Sequence, residues 1–312
     1  MDLVVHTPRM PNIGETIIGS NFMTACGGKG GNQALAAARL GGQVSMLGCV
    51  GEDAFGPELR ANLESAGVDT SHVHTTRAAA SGTATIVVYE GDNFIIIDPG
   101  ANHEITREHV QAFRDVIRES DIVLIQLEIP LDIVAETVRV SGECGTPVLL
   151  NPAPAAELDH ETLRGITWFT PNEGEAAMMA GFTDRAGGGH GAPGESAKRG
   201  AAAGRSDPPD GHDAETLIRA LQGKGVSNVC ITRGAHGVAY AEGDGPVVLR
   251  EAPAVTPVDT TAAGDVFSGA LAVALTEGKA VDAAIEFAQR ASAISVTRHG
   301  AGPSIPTRDE VK

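Results

Sequence analysis

The stretch DIVLIQLEIPLDIVAETVRVSGECGTPVLL, residues 121–150, decides the fold class. Its apolar run over 121–127 predicts a buried strand, the periodic pattern over 131–141 predicts a helix, and 148–150 predicts a second strand. A strand, a helix and a strand at this spacing indicate a right-handed crossover between parallel strands. We therefore predict an α/β protein with a doubly wound, mostly parallel sheet and helices on both faces.

The same alternation continues on both sides of this stretch. Further strand-like runs lie at 44–50, 165–169 and 227–232, and further helical patterns lie at 105–120 and 214–223. This order of elements favours a single α/β domain over the whole chain.

The first hundred residues depart from the alternation. Strand-like runs occur there at 3–5, 16–18, 83–89 and 93–97. The last two are joined by Glu90-Gly91-Asp92-Asn93, which is typical of a hairpin turn. We expect a small, largely antiparallel sheet from segments within about 3–19 and 83–97. We interpret this sheet as a lid beside the main domain.

The composition makes several classes of function improbable. The 40 Asp and Glu against 23 Lys and Arg give a net charge of −17 over 312 residues, which repels nucleic acids and anionic membranes. The 4 cysteines lie too far apart for a zinc site and are too few for a disulfide scaffold, which favours a reducing cytoplasm. No stretch approaches the ~20 apolar residues of a membrane span.

One segment cannot contribute to a core. Residues 184–212 contain 8 Gly, 6 Ala and 3 Pro, but no Val, Ile, Leu, Met, Phe, Tyr or Trp. We expect this segment to be a disordered insertion, because it has no apolar side chains to bury.

The first glycine cluster is CGGKGGNQA, residues 26–34, and it leads directly into a helical pattern. It does not match a Walker phosphate loop, because Gly30 and not Ser or Thr follows Lys29, and it lacks the spacing of a dinucleotide fingerprint. One interpretation is a flexible turn that caps the helix. The other is a place where a small ligand approaches the backbone, with Lys29 and Asn32 as hydrogen-bond donors. The two interpretations are compatible.

The second cluster is VDTTAAGDVFSGA, residues 258–270, at the start of a predicted helix. The small side chains of Ala262, Ala263 and Gly264 leave their amides free to bind an anion at the positive end of the helix dipole. Asp265 lies in the first turn, where a carboxylate is stabilised as an ordinary cap. The alternative is that Asp265 accepts a proton from an attacking hydroxyl beside the bound anion.

Several polar segments follow predicted strands: QLE at 126–128, NPAP at 151–154, TPNEGE at 170–175 and TRGAHG at 232–237. Ligands bind at the carboxyl ends of strands in open parallel sheets. Ordinary turn chemistry, with Asn172 or Glu173 capping the next helix, is the alternative interpretation.

Together and in this order, these motifs resemble the ribokinase family of carbohydrate kinases, also called the phosphofructokinase-B family. The resemblance covers nearly the whole chain through GGKGGNQA (27–34), GANHEIT (100–106), QLE, NPAPA, TPNEGEA, ITRGAHG, VDTTAAGDVFSGAL and AISVTRHGAGPS (293–304). It implies an α/β domain with a β-sheet lid. It also implies transfer of the ATP γ-phosphoryl group to a sugar hydroxyl, which is O5 of D-ribose in ribose-specific members.

The resemblance further implies the roles of individual residues. Asp265 matches the general base, and the amides of Ala262, Ala263 and Gly264 match an anion hole. The positions matching sugar contacts, besides Asp265, are Asp2, Gly28, Lys29, Gly30, Gly31, Asn32 and Glu128. Those matching the ATP site, besides Gly264 and Asp265, are Asn172, Thr232, Arg233, Gly234, Ala235, His236, Gly237 and Gln289.

Cations and partners follow from the same resemblance. Glu175 matches a position linked to Mg²⁺ and phosphate, and K⁺ or another monovalent cation is expected as an activator beside the anion hole. The matching positions for that ion are Asp259, Thr261, Ser295, Arg298, Gly300 and Ser304. We expect ATP and D-ribose as ligands and a homodimer formed through the lid sheets.

One departure keeps alternatives open. In the family, a strand and a Gly-Ser-Ile-Asn turn precede the Asp matched by Asp2, whereas this chain begins at Met1, and we expect a mis-assigned start or a truncation. The alternatives are a family kinase for deoxyribose, fructose, a ketodeoxy acid or a nucleoside, or a catalytically impaired sugar- or nucleotide-binding protein. A nicotinamide dehydrogenase is disfavoured, because no dinucleotide fingerprint follows a first strand.

Overall fold

The computed structural model describes residues 1–90, 92–182 and 213–311. Its strands are β1 (Asp2–His6), β2 (Ser20–Ala25), β3 (Gly48–Gly51), β4 (Val73–Thr76), β5 (Thr83–Tyr89), β6 (Asp92–Asp98), β7 (Val123–Ile125), β8 (Val148–Leu150), β9 (Trp168–Phe169), β10 (Asn228–Thr232), β11 (Val238–Glu242) and β12 (Val248–Arg250).

The helices of the described residues are α1 (Lys29–Arg39), α2 (Phe55–Ser65), α3 (Arg107–Ala112), α4 (Arg114–Glu119), α5 (Leu131–Cys144), α6 (His160–Arg164), α7 (Glu173–Ala180), α8 (Ala214–Gly223), α9 (Ala263–Thr276), α10 (Val281–Ser295) and α11 (Ala301–Ser304). Short 3₁₀ turns lie at Gly100–Glu104, Gly234–His236 and Arg308–Glu310. None of the helices in the described ranges is long and apolar enough to cross a membrane.

The main sheet has the strand order β12-β11-β10-β9-β8-β7. Strands β7 to β10 are parallel, and β11 and β12 extend the sheet in antiparallel fashion. Successive side chains of a strand point to opposite faces, so Trp168 enters one apolar core and Phe169 the other. Helices α1, α9 and α10 cover the first face, and α5, α7 and α8 cover the second. The predicted doubly wound α/β architecture is therefore confirmed.

The first hundred residues form a second sheet, in the order β2-β1-β5-β6. Two of its three pairings are antiparallel, and β1 pairs with β5 in parallel. The strand predicted at 16–18 is wrong, since the second strand is Ser20–Ala25 instead. Ile18, which precedes it, is 90% exposed and so has no packing partner of the kind that a strand side chain needs.

Two other sequence predictions need correction. The helix predicted over 105–120 is two short helices that divide at Phe113. The strand predicted over 44–50 is limited to Gly48–Gly51 and belongs to a separate parallel pair with β4, not to the main sheet. The expected insertion at 184–212 lies outside the described residues.

A large cavity separates β3 from β7. It measures ≈ 1560 Å³ and is lined by Gly48 and Cys49 on one side and by Val123–Ile125 on the other, and it extends to Asp265. Among the described residues, each of these two strands has a strand neighbour on one side only. Because Asp265 also lines the cavity, this edge of the main sheet borders the candidate site.

Candidate active site

The polar strand ends predicted from the sequence meet at one edge of the main sheet. Because β7 to β10 are parallel, the residues that follow them emerge on the same side: Gln126 after β7, Asn151 after β8, Asn172 after β9 and Arg233 after β10. The amino ends of α1 and α9 reach this edge as well. The two helices pack closely, since a Cβ on Gly269 would lie 2.8 Å from the Gln33 carbonyl oxygen.

The first glycine cluster forms the start of α1. Gly28 has φ of 92°, a left-handed value that a residue with a side chain rarely adopts, and it redirects the chain into the helix. The amide of Lys29, in the first turn, donates to the Glu128 carboxylate at 2.8 Å. The cluster is thus both a helix start and part of the cavity wall, as the two compatible interpretations allowed.

The second cluster forms the start of α9. Ala262, immediately before the helix, has φ of 60°, which is strained for a residue with a Cβ. A Cβ on Gly264 would meet nothing within 4 Å, so the space above this helix end is open. Of the three amides predicted for an anion hole, that of Ala263 donates to the Thr260 carbonyl at 3.2 Å. The described residues supply no acceptor for the amides of Ala262 and Gly264, which stay available to an anion.

Asp265 lies in the first turn of α9, with only 5% of its surface exposed. Each carboxylate oxygen accepts one side-chain hydrogen bond, from Asn32 at 3.0 Å and from Gln33 at 3.0 Å. Burial raises the pKa of Asp265, while the charge of Lys29 and these two hydrogen bonds oppose that rise. A buried carboxylate with a raised pKa is a stronger base than an exposed one, as proton abstraction requires.

Two more carboxyl groups line the same cavity, those of Asp2 and Glu128. Burial raises the pKa of each, and the negative charge of Asp265 raises both further. A Cβ on Gly27 would collide with the Asp2 carboxylate, so that glycine lets the acid reach the cavity. Carboxylates accept hydrogen bonds from hydroxyl groups, and the cavity therefore suits a polyhydroxylated ligand.

Asn32 has an unused acceptor at the centre of this arrangement. Its amide nitrogen donates to Asp265, but its Oδ1 atom is buried without a hydrogen-bond partner among the described residues. A buried polar atom of this kind costs free energy until a donor reaches it. A ligand hydroxyl next to Asp265 would supply that donor.

Comparison with known proteins identifies the family. The sequence model of the pfkB carbohydrate kinases matches residues 1–308. The chain belongs to the pfkB family. This carbohydrate kinase is 40% identical to the ribokinase of Bacillus subtilis, over 100% of its own length and 95% of that protein. It is 34% identical to the deoxyribokinase of Salmonella typhi, over 99% of its own length and 94% of that protein.

Solved structures agree with the sequence relatives. The fold of this pfkB kinase matches the Arabidopsis thaliana ribokinase complexed with ribose and ATP at a TM-score of 0.83 and 30% identity. That match covers 99% of this chain and 94% of the Arabidopsis chain. A ribokinase from Thermotoga maritima matches with a TM-score of 0.83 at 33% identity, over 99% of this chain and 94% of that chain.

The predicted nucleotide segments of this kinase follow β9 and β10, and Glu175 among them lies close enough to Lys29 and Asp265 for their charges to affect its pKa. Asn172 and Glu175 cap the start of α7 reciprocally, each side chain accepting from the other's amide at 2.8 Å. Asn172 also forms a bridge to Thr232, which joins the ends of β9 and β10. Burial raises the pKa of Glu175, although the Asn172 amide partly offsets this rise. A cation near this carboxylate would relieve the cost of burying its charge, so the position fits Mg²⁺.

The 232–237 segment is ordered by contacts of its own. Arg233 donates to the Glu173 carboxylate at 3.0 Å, so that carboxylate partly neutralises its charge. Gly234, Ala235 and His236 form an exposed turn, and Gly237 closes it with φ of 84°. A Cβ on Gly237 would collide with the Arg250 carbonyl, so this turn requires a glycine.

Gln289, expected near adenine, is hydrogen-bonded to backbone carbonyls at the end of β12. Its side-chain amide is 7% exposed and donates to the carbonyls of Arg250 and Glu251, at 3.4 and 3.1 Å. This amide group therefore helps to hold the end of β12 and the residue after it. Its donor hydrogens are bonded to the backbone.

Two of the predicted cation positions, Thr261 and Gly300, contact the carboxylate of a third, Asp259. Asp259 accepts from the Thr261 amide at 2.9 Å and from the Gly300 amide at 2.8 Å, which joins the loop before α9 to the loop after α10. Ser295 and Ser304 are buried, and their hydroxyls donate to the carbonyls of Ser292 and Ala301. Arg298 pairs instead with Glu310, at 2.6 Å.

Asp259 is the only carboxylate among these predicted cation positions. No three His, Cys, Asp or Glu side chains gather into a metal site anywhere in the described ranges.

Sequence reasoning missed three residues at the site. Gln33, Asn151 and Gln126 form a hydrogen-bonded group behind Asp265, and none of them was assigned a role. All three stood within or beside quoted motifs, at the ends of β7 and β8 and next to Asn32. The sequence signal that marks them is a Gln or Asn side chain on each element that converges on the site. Attention to charged groups alone overlooks it.

Proposed function

We propose that this pfkB kinase transfers the γ-phosphoryl group of ATP to O5 of D-ribose, giving D-ribose 5-phosphate. The observation that carries the proposal is the buried Asp265 carboxylate at an open helix start with two available amides, inside a cavity of hydroxyl acceptors. Named relatives support the substrate, because the ribokinases of Bacillus subtilis and Haemophilus influenzae are 40% and 39% identical over nearly the full chain.

Asp265 acts as the general base on the attacking hydroxyl. Asn32 accepts a sugar hydroxyl through its unused Oδ1 atom, and the carboxylates of Asp2 and Glu128 accept others. Held this way, the reacting hydroxyl lies next to Asp265, which takes its proton as the oxygen attacks phosphorus. The backbone at Gly28–Gly31 forms the wall against which the sugar rests.

The phosphoryl group is bound by the start of α9. The amides of Ala262 and Gly264 donate to its oxygens, and the Ala263 amide joins them when it exchanges the Thr260 carbonyl for the ligand. Lys29 is the only Lys or Arg among the described residues that line the cavity. Most of the transferred charge must therefore be offset by amides and by a metal ion.

Cations complete the proposal. Glu175 would hold Mg²⁺ through the bound nucleotide, and the metal would neutralise charge on the phosphates. The loops joined by Asp259 would hold K⁺ or a similar ion through carbonyl oxygens. The ATP site lies along Asn172 and the 232–237 turn, and the four cysteines, free in the structure, suit a reaction in the cytoplasm.

The four-stranded sheet serves as lid and as dimer contact. One face carries Ala84, Ile86, Ile95 and Ile97 toward the cavity, as their place in its lining indicates. Since neighbouring residues of a strand alternate, Phe94 and Ile96 lie on the other face, where they are 46% and 71% exposed. Exposed apolar side chains of this size favour a partner, and the partner we infer is a second copy of the chain.

Release of ADP tests the activity. The purified chain with Mg²⁺ and ATP is assayed across D-ribose, 2-deoxy-D-ribose, D-fructose, a ketodeoxy acid and a nucleoside, with and without K⁺. D-ribose is expected to give the highest kcat/KM. The second candidate, 2-deoxy-D-ribose, is favoured by the 34% identity to the deoxyribokinase of Salmonella typhi. A preference for the deoxy sugar would assign that function, and no turnover by the folded chain on any sugar would contradict both.

A further inference from the structure

We propose that Gln33 is the positioning residue of the base, oriented by a chain of buried amides that ends on the Thr170 carbonyl. This inference rests on the proposed role of Asp265. Gln33 lies on α1, is fully buried at 0% exposure, and has no part in the sugar or nucleotide positions. It therefore acts on the reaction only through the carboxylate that it contacts.

The contacts link three strands to both helices. The Gln33 side-chain nitrogen donates to Asp265 at 3.0 Å and to the Asn151 oxygen at 3.1 Å. The Asn151 nitrogen donates to the Thr170 carbonyl at 2.8 Å. The Gln126 nitrogen donates to the Gln33 oxygen. Gln126, Asn151 and Thr170 follow β7, β8 and β9, so one side of the main sheet holds Gln33 in place.

The direction of every hydrogen bond in this chain is fixed. A backbone carbonyl can only accept, so Asn151 must present its nitrogen to Thr170 and its oxygen to Gln33. Gln33 must then present its nitrogen to Asn151, and the same nitrogen donates its second hydrogen to Asp265. A side-chain amide that could otherwise flip is thereby locked with its donor toward the carboxylate.

A locked donor favours the ionised carboxylate. An ionised carboxyl group only accepts hydrogen bonds, whereas a protonated one needs an acceptor for its own hydrogen. Both carboxylate oxygens of Asp265 meet donors, from Asn32 and Gln33. The other charged groups acting on this pair are Lys29, Asp2, Glu128 and Glu175. Gln33 thus keeps the base ready to take a proton even though it is buried.

The test is the pH profile of kcat/KM for Gln33→Met, which keeps the length of the side chain and removes its donor. Wild-type kcat/KM divided by variant kcat/KM should be ~10-fold larger at acidic pH, where activity falls, than on the alkaline plateau. The reason is that the variant lacks the donor that favours the ionised carboxylate. The loss should fall on kcat, with KM for D-ribose and for ATP within ~3-fold of wild type.

Ser268→Ala is the matched control. Ser268 is 1% exposed on the same helix, and its hydroxyl lies 3.2 Å from that of Thr170, but it belongs to neither the amide chain nor the catalytic groups. It should lower the melting temperature without moving the acidic limb. If Gln33→Met does not fold, Gln126→Met replaces it, since this change leaves Gln33 present but frees its oxygen, and the limb should move in the same direction by less.

Three outcomes would overturn the inference. The role of Gln33 is contradicted if a folded Gln33→Met variant has the same acidic limb as the wild type. The same holds for Gln126→Met where that variant replaces it. An equal movement in Ser268→Ala shows that any buried change has this effect. Normal turnover by Asp265→Asn would show that Asp265 is not the base, and it would defeat the proposed role of Asp265 together with the inference.

Discussion

The starts of α1 and α9 are built alike but contribute different chemistry. Each follows a residue with a left-handed backbone, Gly28 at φ 92° and Ala262 at φ 60°. The start of α1 carries the Lys29 charge and the side-chain amides of Asn32 and Gln33, and that of α9 carries the buried carboxylate and the open backbone amides. The difference teaches that a buried base can be kept ionised by a cation and neutral donors from another element, which leaves the helix end beside it free for an anion.

Replacing the charge on α9 should have the largest effect. Asp265→Asn keeps the size of the side chain but removes the base, so kcat should fall ~10²- to 10⁴-fold, equivalent to ~3 to 5.5 kcal/mol. ADP release with D-ribose and Mg²⁺-ATP measures this. Asn32→Ala serves as the contrast on α1, since it removes the Oδ1 acceptor and should impair ribose binding while the Asp265 carboxylate stays present. Near-normal turnover by Asp265→Asn would contradict the assignment of roles to the two helices.

Substituting the residue that precedes each helix should change the free energy of unfolding, in opposite directions for the two helices. Gly28→Ala places a Cβ in a left-handed position and should lower the free energy of unfolding by ~1–2 kcal/mol. Ala262→Gly removes the same strain and should raise it by ~1 kcal/mol. Urea unfolding of the two variants and the wild type measures both. Destabilisation by Ala262→Gly would show that the α9 start is not strained.

Only the α9 start should respond to a monovalent cation. The loop before it is joined to Gly300 through Asp259, and an ion bound there would fix the anion-binding amides. K⁺ should raise kcat ~10-fold, and Asp259→Ala should remove most of that increase. The assay is ADP release in K⁺ against tetramethylammonium at equal ionic strength. Equal rates in the two salts would exclude the proposed ion.

A change distant from both helix starts should affect assembly most. Ile96→Asp places a charge on the exposed apolar face of β6 and should convert the proposed dimer to a monomer. Analytical ultracentrifugation reports the mass, and Thr85→Ser on the paired residue of β5 is the mild control. The turnover of the monomer with saturating D-ribose should stay within ~3-fold of wild type, because both helix starts are unchanged. A monomeric wild-type chain would exclude the proposed contact.

Much of the fold and part of the site could be predicted from the sequence. Alternating strand and helix patterns are enough to predict a parallel sheet covered on both faces. Helix starts are also marked by local residues, as Asp213 caps the start of α8. Asp265 could be predicted as a candidate site residue because a carboxylate beside small residues at a helix start is a local sequence pattern. Strand β2 was missed because its residues are mostly exposed and have no clear alternation of burial.

The amide chain was beyond prediction for a different reason. Gln33 lies 118 residues from Asn151 and 232 from Asp265, and its partners are decided by how α1 packs on α9 and on the sheet. Neutral amides carry no charge pattern that would mark them in a sequence. Gln289 is a second example, because nothing in its sequence pattern indicated that its side-chain amide would donate to backbone carbonyls.

The pH dependence of kcat/KM for the wild-type chain tests the central claim most directly. Activity requires ionised Asp265, and burial raises its pKa above the usual range of an aspartate. Activity should therefore be full at alkaline pH and should be lost, as pH falls, above that usual range. An acidic limb at the ordinary pKa of an exposed aspartate, or activity independent of pH across that region, would contradict a buried base at the start of α9.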